Sequence, residues 1–264
     1  MHRFLTKLNY IYFTILFWLV PSVRKLELPG GYRRIYFVHI RKTGGSSVNR
    51  SFLAMGDDQL GRKRYAQLVN NPIHTTYSQG RLFAAWNKRS IEEGHYFYAF
   101  SHLPFWKLKL PEDTYVFTCL RDPVKRVLSH YRMLLGLKAE NSKHPAFIAE
   151  GPWLGDSLED FLERCPREHL LNQLYTFSET LDVDEAVRNI GTCQFVLTTE
   201  RLDQDLKKIE AEINVPLIGL HVRKGTSNFE CNDETMKKLR DMLQPEYEFL
   251  SRIPEVADFY ADKA

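Results

Sequence analysis

The chain has 264 residues, of which 44% are hydrophobic and 26% are charged, which suits one sizeable α/β domain and argues against disorder. The net charge of +3 is too small to indicate nucleic-acid binding, but it is compatible with an anionic cofactor or polymer. None of the four cysteines has CxxC spacing, so neither a zinc site nor a thioredoxin-like centre is indicated.

Residues 1–32 form an N-terminal segment that we separate from the domain predicted at 33–264. The segment begins with basic residues, and its apolar run Leu8–Val20 is shorter than the roughly twenty residues that span a bilayer. No small-residue cleavage site follows, which disfavours a cleaved signal peptide. Three interpretations stay open for residues 4–23: a short membrane anchor, a helix on the membrane surface, and a helix packed on the domain.

The segment Arg34–Ser47, with the sequence RIYFVHIRKTGGSS, predicts a phosphate-binding turn. It reads as an apolar strand that ends in a basic, glycine-containing turn, and a helix is predicted at Ser46–Met55. Main-chain N–H groups at such a turn and the partial positive charge of a helix N-terminus bind anions. Lys42 adds a full positive charge, and His39 is expected to pack inside the strand and to hydrogen-bond near the turn.

The region after this turn carries no motif before a second strand. Asp57–Thr76 is interpreted as a polar loop, in which the basic cluster at 62–64 is solvated. Tyr77–Glu93 is a candidate helix. The second strand is predicted at Tyr96–Phe100, and His102 follows its end.

A third predicted strand, Tyr115–Leu120, is followed directly by Arg121. Pro123 suits the first position of a helix. Ligands of parallel α/β sheets bind at the carboxyl ends of the strands. We therefore expect Lys42, His102 and Arg121 to face the same edge of the sheet.

The second half of the chain is predicted to be mainly helical. His144–Gly155 is interpreted as a loop, a fourth strand is predicted at Gln194–Leu197, and Asn232 caps the last helix. The other segments with helical spacing are Ser157–Arg164, Glu168–Phe177, Asp182–Ile190 and Glu200–Ile213. Strands separated by helices imply a P-loop-like α/β fold, in which helices cover both faces of a parallel sheet.

Two stretches together resemble the nucleotide-binding motifs of one enzyme family. HIRKTGGSS, at 39–47, and LRDPVKRVLSHY, at 120–131, closely resemble the two motifs of sulfotransferases that use 3′-phosphoadenosine 5′-phosphosulfate (PAPS). Their form is most similar to the carbohydrate branch that includes the heparan sulfate 2-O- and 6-O-sulfotransferases and bacterial relatives. One departure is visible, because Arg41 stands where the family usually has proline, and it either points to solvent or adds a contact to the anion.

The resemblance implies the sulfotransferase fold and a role for each matching residue. The turn would bind the 5′-phosphosulfate of PAPS, through Lys42, Thr43, Gly44, Gly45, Ser46 and Ser47. Arg121 and Ser129 would hold the 3′-phosphate. Lys42 would also stabilise the charge that develops during transfer, and His102, where the family has a histidine, would accept the proton of the acceptor hydroxyl. No metal is expected, because the sulfuryl group carries less charge than a phosphoryl group.

Several alternatives stay open for these residues. Arg121 could form a surface ion pair with Asp122, and Ser129 could be an ordinary polar residue on a helix surface. The base could be another residue, and the candidates are His95, His74, Glu92 and Glu93. Two further stretches resemble family features only loosely: a basic turn at 223–228, which resembles a late nucleotide-contacting loop, and Asn172 with Gln173, which fall near an expected acceptor site.

The predicted function is transfer of a sulfuryl group from PAPS to a carbohydrate hydroxyl by in-line displacement. One alternative is a P-loop kinase or NTPase, which the position of Lys42 before the glycines disfavours. Another is a non-catalytic nucleotide-binding protein that docks an anionic glycan through the basic cluster at 62–64. No nucleic-acid partner is expected, and the sequence leaves the oligomeric state open. Localisation is also open, between a cytoplasmic or membrane-associated bacterial enzyme and a type II Golgi membrane protein.

Overall fold

The computed structural model describes residues 2–21, 27–140, 142–219 and 232–260. These residues form two compact units. The first is built from the described residues of Met1–His39, Gly44–Cys119 and Thr192–Val222, and the second from those of Ile40–Thr43, Leu120–Gly191 and Arg223–Ala264.

The first unit contains a six-stranded sheet with the strand order β2-β3-β4-β1-β5-β6. The strands are β1 (Arg34–Val38), β2 (Thr75–Ser78), β3 (Arg81–Ala85), β4 (Tyr98–Ser101), β5 (Thr114–Leu120) and β6 (Phe195–Thr198). β1 is parallel to both of its neighbours, β4 and β5, and β3 is parallel to β4. Only the β2–β3 pair among those with a recorded register is antiparallel. The α/β fold with a mostly parallel sheet is therefore confirmed.

The helices of the described residues range from short single turns to two helices of 18 residues. They are α1 (His2–Leu19), α2 (Gly45–Ala54), α3 (Asp58–Asn70), α4 (Lys88–Glu92), α5 (Pro123–Glu140), α6 (Pro145–Glu150), α7 (Leu158–Arg164), α8 (Arg167–Leu170), α9 (Asn172–Phe177), α10 (Val183–Ile190), α11 (Leu202–Ile213), α12 (Asp233–Met242) and α13 (Gln244–Ser251). The first unit holds α1–α4 and α11, and the second holds the others.

The neighbouring strands β1 and β5, both inside the sheet, are buried along their whole length. Both consist mainly of apolar and aromatic residues, which is typical of parallel strands covered on two faces. Their aromatic rings stack, with centroids 4.9 Å apart for Phe37 and Phe117, and Phe52 of α2 stacks on Phe117 at the same distance. This packing fixes α2 against the sheet, and so it fixes the turn from which α2 begins.

The prediction of a polar loop at Asp57–Thr76 is wrong, because α3 occupies most of this region. Asp57 caps this helix by accepting the N–H of Leu60 at 3.1 Å. Arg62 and Lys63 are exposed as expected, but Arg64 is fully buried, donates to the carbonyl of Leu53 at 2.6 Å and lies over the Phe83 ring. The cluster at 62–64 is therefore split between solvent and core.

Two further local predictions are wrong. The candidate helix at Tyr77–Glu93 contains the β2–β3 hairpin, which turns at Gln79 and Gly80, both with positive φ. A two-residue turn of this kind matches the twist of a hairpin. The predicted loop His144–Gly155 contains α6, where Pro145 takes the first helical position and the His144 side chain caps the helix.

The N-terminal helix α1 packs on the first unit, which is one of the three interpretations left open. Phe17 is buried and forms a small apolar cluster with Leu82, and Phe13 packs against that cluster. Tyr10 donates a hydrogen bond to the carboxylate of Glu93. Among the described residues, no helix combines the length and the apolar character needed to cross a membrane.

Candidate active site

The second unit contains Arg121 and the start of the turn that the sequence predicts to bind phosphate. Lys42 has a φ of +70°, a left-handed conformation that side chains other than glycine rarely adopt. The Arg121 guanidinium donates from Nη1 to the Lys42 carbonyl at 3.0 Å, and the Thr43 hydroxyl donates to the Ile40 carbonyl at 3.0 Å. Both hydrogen bonds stabilise the unusual backbone, and they bring together two of the predicted phosphate-binding residues.

The charge of Lys42 depends on its surroundings in this unit. Burial, together with the positive charges of Arg121 and Arg41, lowers the pKa of Lys42 to about 8. The carboxylate of Glu150 acts in the opposite direction. Lys42 is therefore mainly a cation at pH 7 but loses its proton as the pH rises through about 8. An anion bound beside it would raise its pKa again.

Arg41 pairs with Glu150 at the end of α6. It contacts both carboxylate oxygens, and the second contact, from Nη2 to Oε2, measures 3.0 Å. Glu150 is buried, and Nε2 of His130 on α5 lies 2.7 Å from its Oε2. Burial by itself would raise the pKa of Glu150, but the hydrogen bonds to His130 and Arg41 lower it to about 2. Thus Arg41 ties the turn to α6 and, through Glu150, to α5, instead of pointing to solvent.

Arg121 is held through its backbone by a buried glutamine. The side chain of Gln173 accepts the Arg121 N–H at 2.8 Å and donates to the Arg121 carbonyl at 3.0 Å. Glu246 on α13, also fully buried, accepts the Gln173 backbone N–H at 2.6 Å and its side-chain amide at 3.1 Å. The two hydrogen bonds between Gln173 and the Arg121 backbone fix the residue that follows β5, and with it the position from which the Arg121 side chain extends.

The helix that follows Arg121 begins as predicted. Asp122 accepts the N–H of Lys125 at 3.0 Å, and Pro123 is the first residue of α5. Ser129 lies further along the same helix and is half-buried. Its assignment to the 3′-phosphate stays a prediction.

The first unit contains the rest of the turn, from Gly44 onward. Gly44 has a φ of +80° and precedes α2. Gly45 is the first residue of α2, and a Cβ at this position would come within 1.7 Å of Nε2 of His39. Only glycine therefore allows the His39 ring to lie over the start of α2. Ser46 and Ser47 lie in the first helical turn, where the Ser47 N–H donates to the Gly44 carbonyl at 2.9 Å.

A cavity of about 400 Å³ in the first unit brings predicted residues together. Ser46 and His102 both line it, and so does His39. The remaining lining residues are Asn49, Arg50, Gly61, Arg62, Tyr65, Trp86 and Phe100. The cavity thus combines the start of α2, which is predicted to bind an anion, with the predicted base and with aromatic side chains.

His102 is exposed, and its Nδ1 lies 2.7 Å from the carbonyl of His39. A carbonyl can only accept, so Nδ1 carries the proton and Nε2 carries the lone pair of the neutral ring. The His39 and His102 rings lie 4.1 Å apart, between centroids. This tautomer suits a general base that acts through Nε2.

His39 lines the same cavity, although the sequence did not assign it to the candidate site. The Tyr98 hydroxyl donates to Oδ1 of Asn49 at 2.7 Å, and Nδ2 of Asn49 lies 3.3 Å from Nδ1 of His39. Asn49 therefore donates to Nδ1, which leaves the hydrogen of neutral His39 on Nε2, above Gly45. The residue follows β1 directly instead of packing inside it.

The alternative bases are engaged elsewhere in the first unit. His95 is buried, its ring centroid lies 4.6 Å from that of Phe17 in α1, and burial lowers its pKa. Glu93 binds Arg89, Glu92 accepts the N–H of Lys109 at 3.0 Å, and Nδ1 of His74 lies 2.9 Å from the Leu68 carbonyl. None of these four candidates lines the cavity that contains His102.

Two remaining predictions have different outcomes. The basic turn at 223–228 lies outside the described residues. Gln173 binds the Arg121 backbone, so within the second unit it supports a predicted phosphate ligand. Within the described ranges, no group of three or more histidine, cysteine, aspartate or glutamate side chains could hold a metal ion.

Comparisons with known proteins find likeness among solved structures, but none in sequence. No protein-family model matches the chain, and no curated protein matches it in sequence. Among solved structures, the chain is similar to the crystal structure of a sulfotransferase from Alicyclobacillus acidocaldarius, with a TM-score of 0.44 and 14% identity. The alignment covers 83% of this chain and 94% of that one.

Proposed function

We propose that this protein is a sulfotransferase that moves the sulfuryl group of PAPS to a hydroxyl of a carbohydrate acceptor. The observation that carries the proposal is the shared cavity of Ser46 and His102. Ser46 belongs to the motif that resembles a phosphosulfate-binding turn, and His102 is the residue that the same resemblance assigns as the base. The two assignments come from separate stretches of sequence, and in the first unit both residues line the same cavity.

The proposed reaction is an in-line displacement at sulfur. The acceptor oxygen forms a bond to sulfur while the bond from sulfur to the bridging phosphate oxygen breaks. Nε2 of His102 takes the proton of the acceptor hydroxyl. Lys42 stabilises the negative charge that grows on the leaving 5′-phosphate, helped by the main-chain N–H groups at the start of α2. Arg121 and Ser129 bind the 3′-phosphate, where the Arg121 guanidinium offers two parallel donors.

The lining of the cavity supports a carbohydrate acceptor. Trp86, Tyr65 and Phe100 present aromatic surface, which can pack against the C–H face of a sugar ring. Arg50 and Arg62 add hydrogen-bond donors, and both hold the carboxylate of Asp58. A mixed aromatic and polar pocket of this kind suits a polyhydroxylated ring better than a purely apolar compound.

The test is transfer of labelled sulfate from PAPS to a panel of glycans, compared between the wild type and Lys42→Ala. The wild type should transfer label to at least one glycan, and Lys42→Ala should lose about 10²–10³-fold in kcat, the usual effect of removing one charge-stabilising group. Titration with 3′-phosphoadenosine 5′-phosphate (PAP) should show binding by the wild type and weaker binding by Arg121→Ala. Absence of PAP binding by the wild type would overturn the proposal.

The same assay separates the alternatives. A kinase or NTPase would turn over ATP with Mg²⁺ and would not release sulfate from PAPS. A non-catalytic binding protein would bind PAP but transfer no sulfate to any glycan. His102→Ala would then leave PAP binding unchanged and would have no transfer activity to lower.

A further inference from the structure

The N-terminal helix α1 has a second face whose side chains are largely exposed. Six large apolar or aromatic side chains on it are between about half and three-quarters exposed: Leu8 47%, Ile11 52%, Tyr12 55%, Ile15 49%, Trp18 55% and Leu19 73%. Their spacing of three and four residues places them along one side of the helix. We call this set the apolar stripe of α1.

The opposite side of α1 is fixed to the protein. Phe13 and Phe17 pack in the apolar cluster with Leu82, and the Arg89 guanidinium lies 4.1 Å from the centre of the Tyr10 ring. Tyr10 also binds Glu93. A helix anchored in this way can touch a surface only along its exposed side, so it would lie parallel to that surface.

The charges of α1 point to a particular surface. The helix has no acidic residue, while Arg3 and Lys7 are basic, and Lys7 is exposed one position before Leu8, the first residue of the stripe. Tyr12 and Trp18 are the residue types that favour the boundary between lipid head groups and acyl chains. An apolar helix face, interfacial aromatic residues and neighbouring positive charge together match an anionic membrane surface.

We propose that α1 lies in the plane of an anionic lipid bilayer, with the apolar stripe among the upper acyl chains and its other side on the first unit. This is a surface attachment and does not require the helix to span the bilayer. It is independent of the proposed enzymatic activity.

The experiment is sedimentation of the full chain with vesicles of phosphatidylcholine alone or of phosphatidylcholine mixed with phosphatidylserine. The wild type should bind the mixed vesicles more strongly, and added salt should weaken this binding because it screens the charges. Ile15→Glu should lower the partition coefficient about tenfold or more. The change removes an apolar side chain that the bilayer would bury and places a carboxylate in its position.

The matched control is Val69→Glu on α3. Val69 is exposed to 47%, close to the 49% of Ile15, and the change adds the same charge. This control should bind vesicles like the wild type. Equal loss in both variants, or binding that does not respond to phosphatidylserine, would overturn the proposal. A concentration-dependent dimer that Ile15→Glu abolishes, without vesicle binding, would overturn it in favour of a second copy as the occupant.

Discussion

Lys42 and His102, the two residues with proposed chemical roles, are held in place in contrasting ways. Lys42 lies in the second unit among buried charges and amides, where Arg121 binds its carbonyl. His102 lies in the first unit, is exposed at a cavity, and is oriented by the backbone of His39. The surroundings of Lys42 are a network of polar side chains, whereas those of His102 are an open pocket with aromatic walls.

This difference matches the two tasks of a transferase that uses one fixed donor. A nucleotide with two charged ends requires preorganised positive groups, and buried hydrogen bonds keep such groups rigid. The acceptor side needs a base with a defined tautomer and enough room for the second substrate. We therefore expect changes in the polar network around Lys42 to affect donor affinity, and changes at His102 to affect the rate of transfer. Lys42 itself should contribute to the rate as well, because it stabilises the charge on the leaving group.

The largest effect should come from His102→Ala. Loss of a general base typically lowers kcat by about 10²–10⁴-fold. PAP affinity should stay close to that of the wild type, because the proposed donor contacts do not include this side chain. Rates and PAP titrations on the same protein sample check both points. The control is His74→Ala, which removes a histidine of the same unit that does not line the cavity and should keep most of the activity. A large loss of PAP affinity in His102→Ala would contradict the separation of the two tasks.

A smaller effect is expected from Gln173→Leu, which tests the network around Arg121. The change leaves the Arg121 N–H and carbonyl, and part of Glu246, without their buried partners, at a cost of about 1–3 kcal/mol for each group left unsatisfied. Unfolding free energy should fall, and PAP affinity of the folded protein should fall about tenfold, which corresponds to 1.4 kcal/mol. Calorimetric titration below the unfolding transition measures the affinity, and denaturant titration measures the stability.

Gln194→Leu is the matched control for this prediction. Gln194 also uses its side chain to accept a backbone N–H, that of Val116 in β5, at 2.6 Å. Its loss should lower stability without changing PAP affinity. If both variants lose affinity equally, Gln173 acts only through general stability.

The features that the sequence could predict are those that depend on residues close together in the chain. The turn at Lys42–Ser47, the start of α2 and the start of α5 depend on local signals, and these elements were predicted close to their observed bounds. The supports of Arg121 and Arg41 depend on distant pairs: Gln173 lies 52 residues from Arg121, and Glu150 lies 109 residues from Arg41. No periodicity or motif marks such pairs. Gln173 was singled out only for its place in a loosely matching stretch.

The errors in local structure have physical causes as well. The basic cluster at 62–64 suggested a solvated loop. Arg64 is instead buried, because its guanidinium donates to a backbone carbonyl and packs on the Phe83 ring. The cap at Asp57 and the turn at Gln79–Gly80 were signals that could have been used. His39 became part of the site because Gly45 leaves room for its ring, which required knowledge of the fold.

The smallest effect should come from Glu150→Gln, and it appears in the pH dependence of PAP binding. Because the pKa of Lys42 in the free protein is lowered to about 8, PAP affinity should be full below that pH and should fall as pH rises through it. Glu150 raises the pKa of Lys42, so its neutral replacement should move the fall in affinity to lower pH. The glutamine can still accept hydrogen bonds from Arg41, which limits structural damage.

PAP titrations across a pH series measure this shift, which we expect to be a few tenths of a pH unit up to about one unit, equal to at most 1.4 kcal/mol. Glu163→Gln is the control, because Glu163 carries the same charge but is 65% exposed and pairs with Lys238. It should leave the pH profile unchanged. If Glu150→Gln lowers affinity equally at every pH, the carboxylate only positions the turn through Arg41. A shift of the profile shows instead that it also sets the charge of Lys42.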